Sequence, residues 1–421
     1  GKSYIKNINL DPDLRKREFG SVVVDVNPEA SHRDAEYWKD FRIDSLTQKE
    51  INTYDFVDSV SKEANLDKAA KTFESLITGK IPWGYIDLDI NRFLKYNSYE
   101  GFALGAGLHT NDRVSQVFKV GGFVRYGFKD KAFKYGGDLG VIVYYPWDLS
   151  VNLEYENDVS ETSGITYFDD QPGFFKPEYF RDFLVKKMDL NEFYKVSIGF
   201  RALKYFEFDA AMIKSSKEVT DDYQYAISDQ NIKVLFNEFD FTEARFGFRY
   251  AYGEKFIQNL RKKLSLGTDY PIVWFQYTRG IKGFLNGDFD YNRYDLKVEK
   301  SFYIKYLGEA SFKVAAGYVD ADIPYTNLYN GNGAYRTFTI FAENSFATMR
   351  MNEFLSNKYG ALYFTHNFEN LLYKGKKFKP EFAIATNIAF GNLDFKDSHM
   401  NIDYKTLEKG YYESGLQVNK L

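Results

Sequence analysis

The 421-residue chain contains no cysteine, so a disulfide framework and a thiolate metal site are both excluded. Histidine is nearly as scarce. The four copies, His32, His109, His366 and His399, lie far apart and make no HExxH or HxxxH spacing, which argues against zinc. No stretch reaches the roughly 18 consecutive apolar residues of a transmembrane helix. Neither charge sign dominates: 55 basic against 59 acidic residues leave a net charge of -4, so nucleic acid is not an expected partner. The opening GKSYIKNINL lacks the basic start and apolar core of a secretory leader. The last residues, YYESGLQVNKL, stop within a strand-like pattern. The chain is therefore expected to be a mature or partial form of a longer one.

Aromatic residues, by contrast, are abundant. Phe, Tyr and Trp make up 19% of the chain, with 40 Phe and 35 Tyr, while mean hydropathy is only -0.46. Apolar residues must then be spread thinly and regularly. The stretch GGFVRYGFKDKAFKYGGDLGVIVYY shows how: Phe118, Val120, Val124, Tyr126 and Phe128 alternate with Lys119 and Arg125. After the KDK break, Tyr135, Leu139, Val141, Val143 and Tyr145 alternate with Lys134 and Asp138. Period-2 alternation around a short polar break predicts two strands joined by a turn. The pattern recurs from Tyr99 onward, at 102–108, 149–155, 196–202, 206–212, 246–252, 271–281, 294–298 and 312–318, with further strands expected near 338–348, 359–368, 382–390 and 411–421. The faces of 359–368 are ambiguous. Long polar segments, at 157–191, 214–239, 320–336 and 392–410, alternate imperfectly with short turns.

These runs are about 9–12 residues long, nearly twice the roughly 5–6 of an average globular strand, and match bilayer crossings. Aromatics gather at strand ends, as in Tyr144-Tyr145, which fits interfacial girdles. The expected fold class is all-β: a transmembrane antiparallel β-barrel, about 14 strands in view and 16 when complete, since strand number is even in bacterial single-chain barrels. Residues 1–94 read as an extended and helical segment, periplasmic or plug-like, and 95–421 as the barrel. In the first segment Thr47-Gln-Lys-Glu50 fits a capping box, and a second helix is expected after Asn65, ended by Gly79. That segment packs as a small helical layer or fills the barrel as a plug.

Arg at mid-bilayer costs about 2–4 kcal/mol on the lipid side. The charged faces therefore point inward, and Arg125, Asp138, Arg201, Arg245, Arg249, Asp295 and Glu299 become candidate lumen-lining residues. They form either an ion-paired wall or a lining that selects solutes by charge.

Several stretches carry a resemblance to a known family. NPEASHRDAEYWKDFRIDSLTQKE (27–50), TGKIPWGYIDLDINRFLKYNSYEGFALGAGLHTND (78–112), YGFKDKAFKYGGD (126–138), YTRGIKGFLNGDFDYNRYDL (277–296) and MRMNEFLSNKYGALYFTHNFENLL (349–372) resemble an uncharacterised outer-membrane barrel family of Bacteroidota. Its members often carry the name carboxypeptidase regulatory-like domain protein. The resemblance implies a signal peptide, an N-terminal β-sandwich that this chain does not contain, and a C-terminal barrel. It implies no peptidase activity and transfers no catalytic or binding residue. The long Gly-rich loop ADIPYTNLYNGNGAYR (321–336) between strands is similar to the barrel-assembly superfamily, in which a long loop folds into the lumen and an arginine anchors it. Arg336 and Arg350 are the candidate anchors by that analogy.

Motifs for chemistry are few. No GxSxG elbow occurs, and His109 with Ser115 is the nearest approach to a nucleophile and base. Gly287-Asp288-Phe289-Asp290-Tyr291-Asn292 gathers oxygen ligands but departs from the EF-hand spacing. GNGAY opens no helix and is no phosphate site. The reading is non-enzymatic and without cofactor: a structural or accessory subunit of an envelope machine for export, assembly or surface display. A channel or transporter for small solutes is the alternative. Expected partners are outer-membrane lipid, lipopolysaccharide and other envelope proteins, at the bacterial outer membrane.

Overall fold

A computed structural model describes residues 9, 20–26, 33, 35–41, 45–63, 79–168, 181, 183–229, 232–259, 262–335, 345–373, 375 and 379–419. The helix expected after Asn65 and the candidate anchor Arg336 lie outside them. The chain divides into two compact units, Gly1–Leu76 with Gly253–Thr268, and Ile77–Tyr252 with Asp269–Leu421.

In the first unit, α1 (Ala35–Phe41) and α2 (Gln48–Glu63) accompany a three-stranded sheet. Thr47 and Glu50 start α2 as the sequence suggests, although only half of the reciprocal box forms. The Glu50 carboxylate accepts from the Thr47 amide (2.8 Å) and also from the Thr47 hydroxyl (2.7 Å). The sheet joins distant segments. Val22–Val26 lies parallel to Phe256–Asn259, which forms a hairpin with Lys262–Ser265.

The second unit is a large antiparallel sheet of 16 segments. In chain order these are β1 (Lys80–Trp83), β2 (Ile86–Asp89), β3 (Leu94–Asn97), β4 (Gly101–Thr110), β5 (Phe118–Gly127), β6 (Phe133–Tyr144), β7 (Leu149–Glu161), β8 (Met188–Ala202), β9 (Phe206–Val219), β10 (Glu238–Ala251), β11 (Ile272–Gly280), β12 (Tyr291–Ile304), β13 (Gly308–Val319), β14 (Lys358–Asn367), β15 (Glu381–Asn392) and β16 (Tyr411–Asn419). Each pairs with the next, except that β2 and β3 both pair with β4, at its two ends. They form one crossing broken by the single turn Ile90–Arg92. Among the described residues β1 and β16 are not paired, so the sheet is open.

Two expectations are corrected. The wall begins at Lys80, not at 95, because β1–β3 belong to the large sheet, whereas Gly253–Thr268 leaves it for the first unit. Of the strand expected near 338–348, residues 338–344 lie outside the described residues, and Phe346–Arg350 pairs in parallel with Gly333–Tyr335 inside a connection rather than with the wall.

The pleat sorts side chains as the alternation implies. Ala202, Phe206, Tyr250, Val273, Val298, Val314, Leu362, Ile388 and Tyr412 stand side by side in one row across β8 to β16. The adjacent parallel row includes Phe200, Phe208, Phe248 and Phe275. None of this face packs on a core. Val314, Phe246, Val196 and Leu153 are each 40% exposed or more. An apolar belt this wide far exceeds the few hundred Å² found on a soluble monomer.

The two ends of the sheet differ. One end carries short turns such as 203–205, where Leu203 and Lys204 take positive φ in a tight hairpin, and 305–307. Aromatic pairs rim this end: Tyr144 with Trp147, and Tyr252 with both Tyr205 and Tyr270. The other end carries the long connections 162–187, 220–237, 320–357 and 393–410.

Candidate functional site

The described parts of the connection 320–357, residues 320–335 and 345–357, fold against the inner face of the sheet. Ile323, Tyr325, Leu328, Tyr329, Phe346 and Met349 are all at most 2% exposed. They pack with Phe239 and Phe241 of β10, Tyr291 of β12, Val319 of β13, and Tyr359 and Tyr363 of β14. This explains the ambiguous faces of β14. Tyr359, Ala361 and Tyr363 point in toward the loop, while Leu362 and Phe364 point out, so both faces are apolar.

Gly317 makes the close approach possible. A Cβ there would sit 2.3 Å from Cζ of Tyr329, so only glycine leaves room for the ring. Tyr329 then exchanges two backbone hydrogen bonds with Ser356, each 3.0 Å, which closes the loop on itself.

Arg293 of β12 holds this arrangement. Its Nε donates to Asp295 Oδ2 (2.9 Å), Nη1 to the Asn327 carbonyl (3.1 Å) and Nη2 to the Gly164 carbonyl (2.7 Å). The guanidinium lies 4.8 Å from the Tyr329 ring centre, and the Tyr329 hydroxyl donates to Asp295 Oδ1 (2.8 Å). One cation thus ties the connections 162–187 and 320–357 to the wall. Beside it, Lys217 donates to Asn327 Oδ1 (2.6 Å), and Asn327 Nδ2 donates to Tyr291 (3.0 Å) and to Glu243 (3.2 Å). Arg181 forks onto both oxygens of Glu161 and donates to the Gly333 carbonyl (2.6 Å). The expected anchor Arg350 is exposed at the end of Phe346–Arg350, while Arg293 and Arg181 both reach the loop from outside it.

Three connections meet beyond this point. The Tyr223 hydroxyl bonds to His399 Nδ1 (2.8 Å) and accepts from the Tyr325 amide (3.2 Å). The rings of Tyr223 and Tyr325 lie edge to face at 4.0 Å. Ser398 donates to Asp322. Burial holds His399 neutral, lowering its pKa to about 4, and raises those of Tyr223 and Tyr325.

The candidate lumen-lining residues all lie on the inner face, and five of the seven meet an opposite charge. Arg125 pairs with Glu100 (3.4 Å) and Asp158, next to Arg92–Glu156 (3.0 Å). Asp138 meets His109 Nε2 (3.1 Å). Arg201 meets Asp148 (3.3 Å) and Glu207 (2.8 Å), Arg245 meets Asp209 (3.0 Å), and Glu299 meets Lys313 (3.5 Å). Arg249 lies 5.6 Å from the Trp274 ring centre. Asp295 is joined to Arg293, as above. Exposure falls along the wall: the Asp138 side chain is 44% exposed and Arg201 33%, against 1% for Arg125 and 0% for Asp295.

Chemistry-bearing motifs are not assembled. His109 binds Asp138, while the Ser115 hydroxyl accepts from the amides of Val117 and Phe118. Asp288 accepts from the Asp240 amide (2.9 Å) and Asp290 pairs with Arg279. Among the described residues no group of acidic, His or Cys side chains could hold a metal ion. Arg293, Asn327, Tyr329, Lys217 and Glu243 escaped the sequence reading. Their one signal was the inward aromatics Phe239, Phe241 and Tyr291, which interrupt the polar inner face.

Residues 190–398, from β8 through β15 and including the buried loop and Arg293, match the C-terminal domain of a family of unknown function, DUF5686. No curated protein matches the chain. Among solved structures, the chain is similar to BamA from Haemophilus ducreyi lacking POTRA domains 1–3, with 10% identity and a TM-score of 0.48 over 79% of this chain and 63% of that one. It is also similar to CdiB from Acinetobacter baumannii, with 10% identity and a TM-score of 0.40 over 78% of this chain and 52% of that one. OmpT, an outer membrane protein of Vibrio cholerae, gives 8% identity and a TM-score of 0.32 over 80% of this chain and 98% of that one. The match therefore spans between half and two thirds of the BamA and CdiB chains.

Proposed function

We propose that this chain, whose residues 190–398 belong to the DUF5686 C-terminal domain family, is an outer-membrane β-barrel protein whose bore is shut at the long-loop end by its own loops. It serves as a non-enzymatic structural or accessory subunit of an envelope machine for export, assembly or surface display. The outward apolar belt meets lipid, and a closed barrel would leave no strand edge unpaired there. Outer-membrane lipid and lipopolysaccharide surround it, and other envelope proteins are its partners.

The observation that carries the reading is Arg293, buried and holding two connections in the interior. A pore lining would leave charge free to meet solute, yet five of the seven candidate lining charges here meet an opposite charge. Planar-bilayer recording tests it. The wild-type barrel should stay closed, and Arg293→Ala, which frees both connections, should open transient conductance. Steady wild-type current sinks the scaffold reading. The half-exposed charges near the short-turn end, Asp138 and Arg201, favour a second reading, a vestibule for small solutes entered from that end. Purification from native membranes without stoichiometric partners would favour it.

A further inference from the structure

On the outer wall, at the long-loop end of β6, β7 and β8, three tyrosines surround one carboxylate. The rings of Tyr135 and Tyr155 are 6.0 Å apart and those of Tyr155 and Tyr194 4.7 Å, each on a neighbouring strand. Both the Tyr155 hydroxyl (2.9 Å) and the Tyr194 hydroxyl (3.1 Å) donate to the same oxygen, Oε1 of Glu192. No cation of the described residues pairs with Glu192. Glu192, Tyr194, Val196, Ile198, Phe200 and Ala202 alternate along one face of β8. At about 3.4 Å per residue and a tilt of about 40°, the rise from Ala202 to Glu192 is about 25 Å, the height of an apolar belt. Glu192 therefore stands where the hydrocarbon ends and headgroups begin.

An outward carboxylate at that depth is costly without a counter-charge. Two phenols orient it and occupy one oxygen, which leaves the other open. Ring faces beside it attract a cation. Lys214 stands opposite Tyr194 in the register of β8 and β9, on the same face, and makes no ion pair among the described residues. Negative and positive charge thus sit side by side on a lipid-facing wall.

We infer that Tyr135, Tyr155, Tyr194 and Glu192 form a site for the primary ammonium of a lipid headgroup, with Lys214 taking the phosphate that carries it. The inference rests on the membrane-barrel reading above. The test uses the full chain reconstituted with phosphatidylethanolamine or phosphatidylglycerol, with retained lipid counted by native mass spectrometry. Phosphatidylethanolamine should be retained several-fold over phosphatidylglycerol. Glu192→Gln should abolish that preference, and Lys214→Met should lower total retention. Equal retention of the two lipids by the wild type, or an unchanged preference in Glu192→Gln, overturns the site. Tyr194→Phe, which removes one orienting hydroxyl, replaces Glu192→Gln if that variant fails to fold, and its preference should fall likewise. Heat-modifiable migration of the wild type reports the barrel separately: if it is absent, the membrane reading itself fails, and if it is present without lipid preference, only the site does.

Discussion

Arg293 and Asp295 illustrate how much depends on single side chains here. Asp295 is fully buried, and its charge is balanced by the Arg293 guanidinium. Removing one partner strands the other in the interior, which costs about 3–5 kcal/mol, while removing both is far milder. Arg293→Met should therefore lower the urea midpoint sharply, and Arg293→Met with Asp295→Leu should recover most of the loss. Tryptophan fluorescence in detergent would read both. Gly317→Val forces the Tyr329 ring out of its place and should cost about 1–3 kcal/mol by overpacking, measured the same way. The sequence exposed Asp295 as inward because alternation alone fixes a face. It could not expose Arg293 as an anchor, since its partners, the carbonyls of Gly164 and Asn327, are contributed by segments far away in the chain.

Strands were the most legible elements. Their period of two survives translation into structure because each long wall strand has one lipid-like face, as β13 shows with Phe312, Val314 and Tyr318 turned out. Val314→Arg should cost about 2–4 kcal/mol and block stable insertion into vesicles, whereas Lys313→Val, on the opposite face beside Glu299, should insert. β14 was ambiguous for a physical reason, since its inner face meets an aromatic loop rather than water. The connections were least legible, because their packing is between segments distant in sequence. Their meeting point has a pH dependence. His399 titrates near 4 in the fold against about 6.5 when unfolded. The protonated form is thus disfavoured in the fold, and stability present above about pH 6.5 is lost as pH falls toward 4. Protease sensitivity of the connections should rise over that window, and His399→Gln, which keeps a hydrogen-bonding side chain beside Tyr223, should flatten the response.

For the molecule as a whole, the absence of cysteine permits a clean accessibility map. Asn152→Cys, on the exposed part of the inner face, should react readily with a water-soluble maleimide. Ser356→Cys, fully buried in the inward loop, should be protected until the chain is unfolded. Equal labelling would mean the interior is open throughout. The large sheet and its faces were readable from the sequence; the division into units was not, because one hairpin crosses it. That hairpin has a temporal consequence. Val22–Val26 leaves the ribosome early, yet its parallel partner Phe256–Asn259 is made only after β1 through β10. The first unit therefore waits for half the wall to be synthesised, and it carries the closure entropy of that intervening length. Its completion would mark, in time, the moment at which the wall has passed its midpoint, and a chain stopped after β10 would leave the early strand with an unsatisfied edge, open to aggregation.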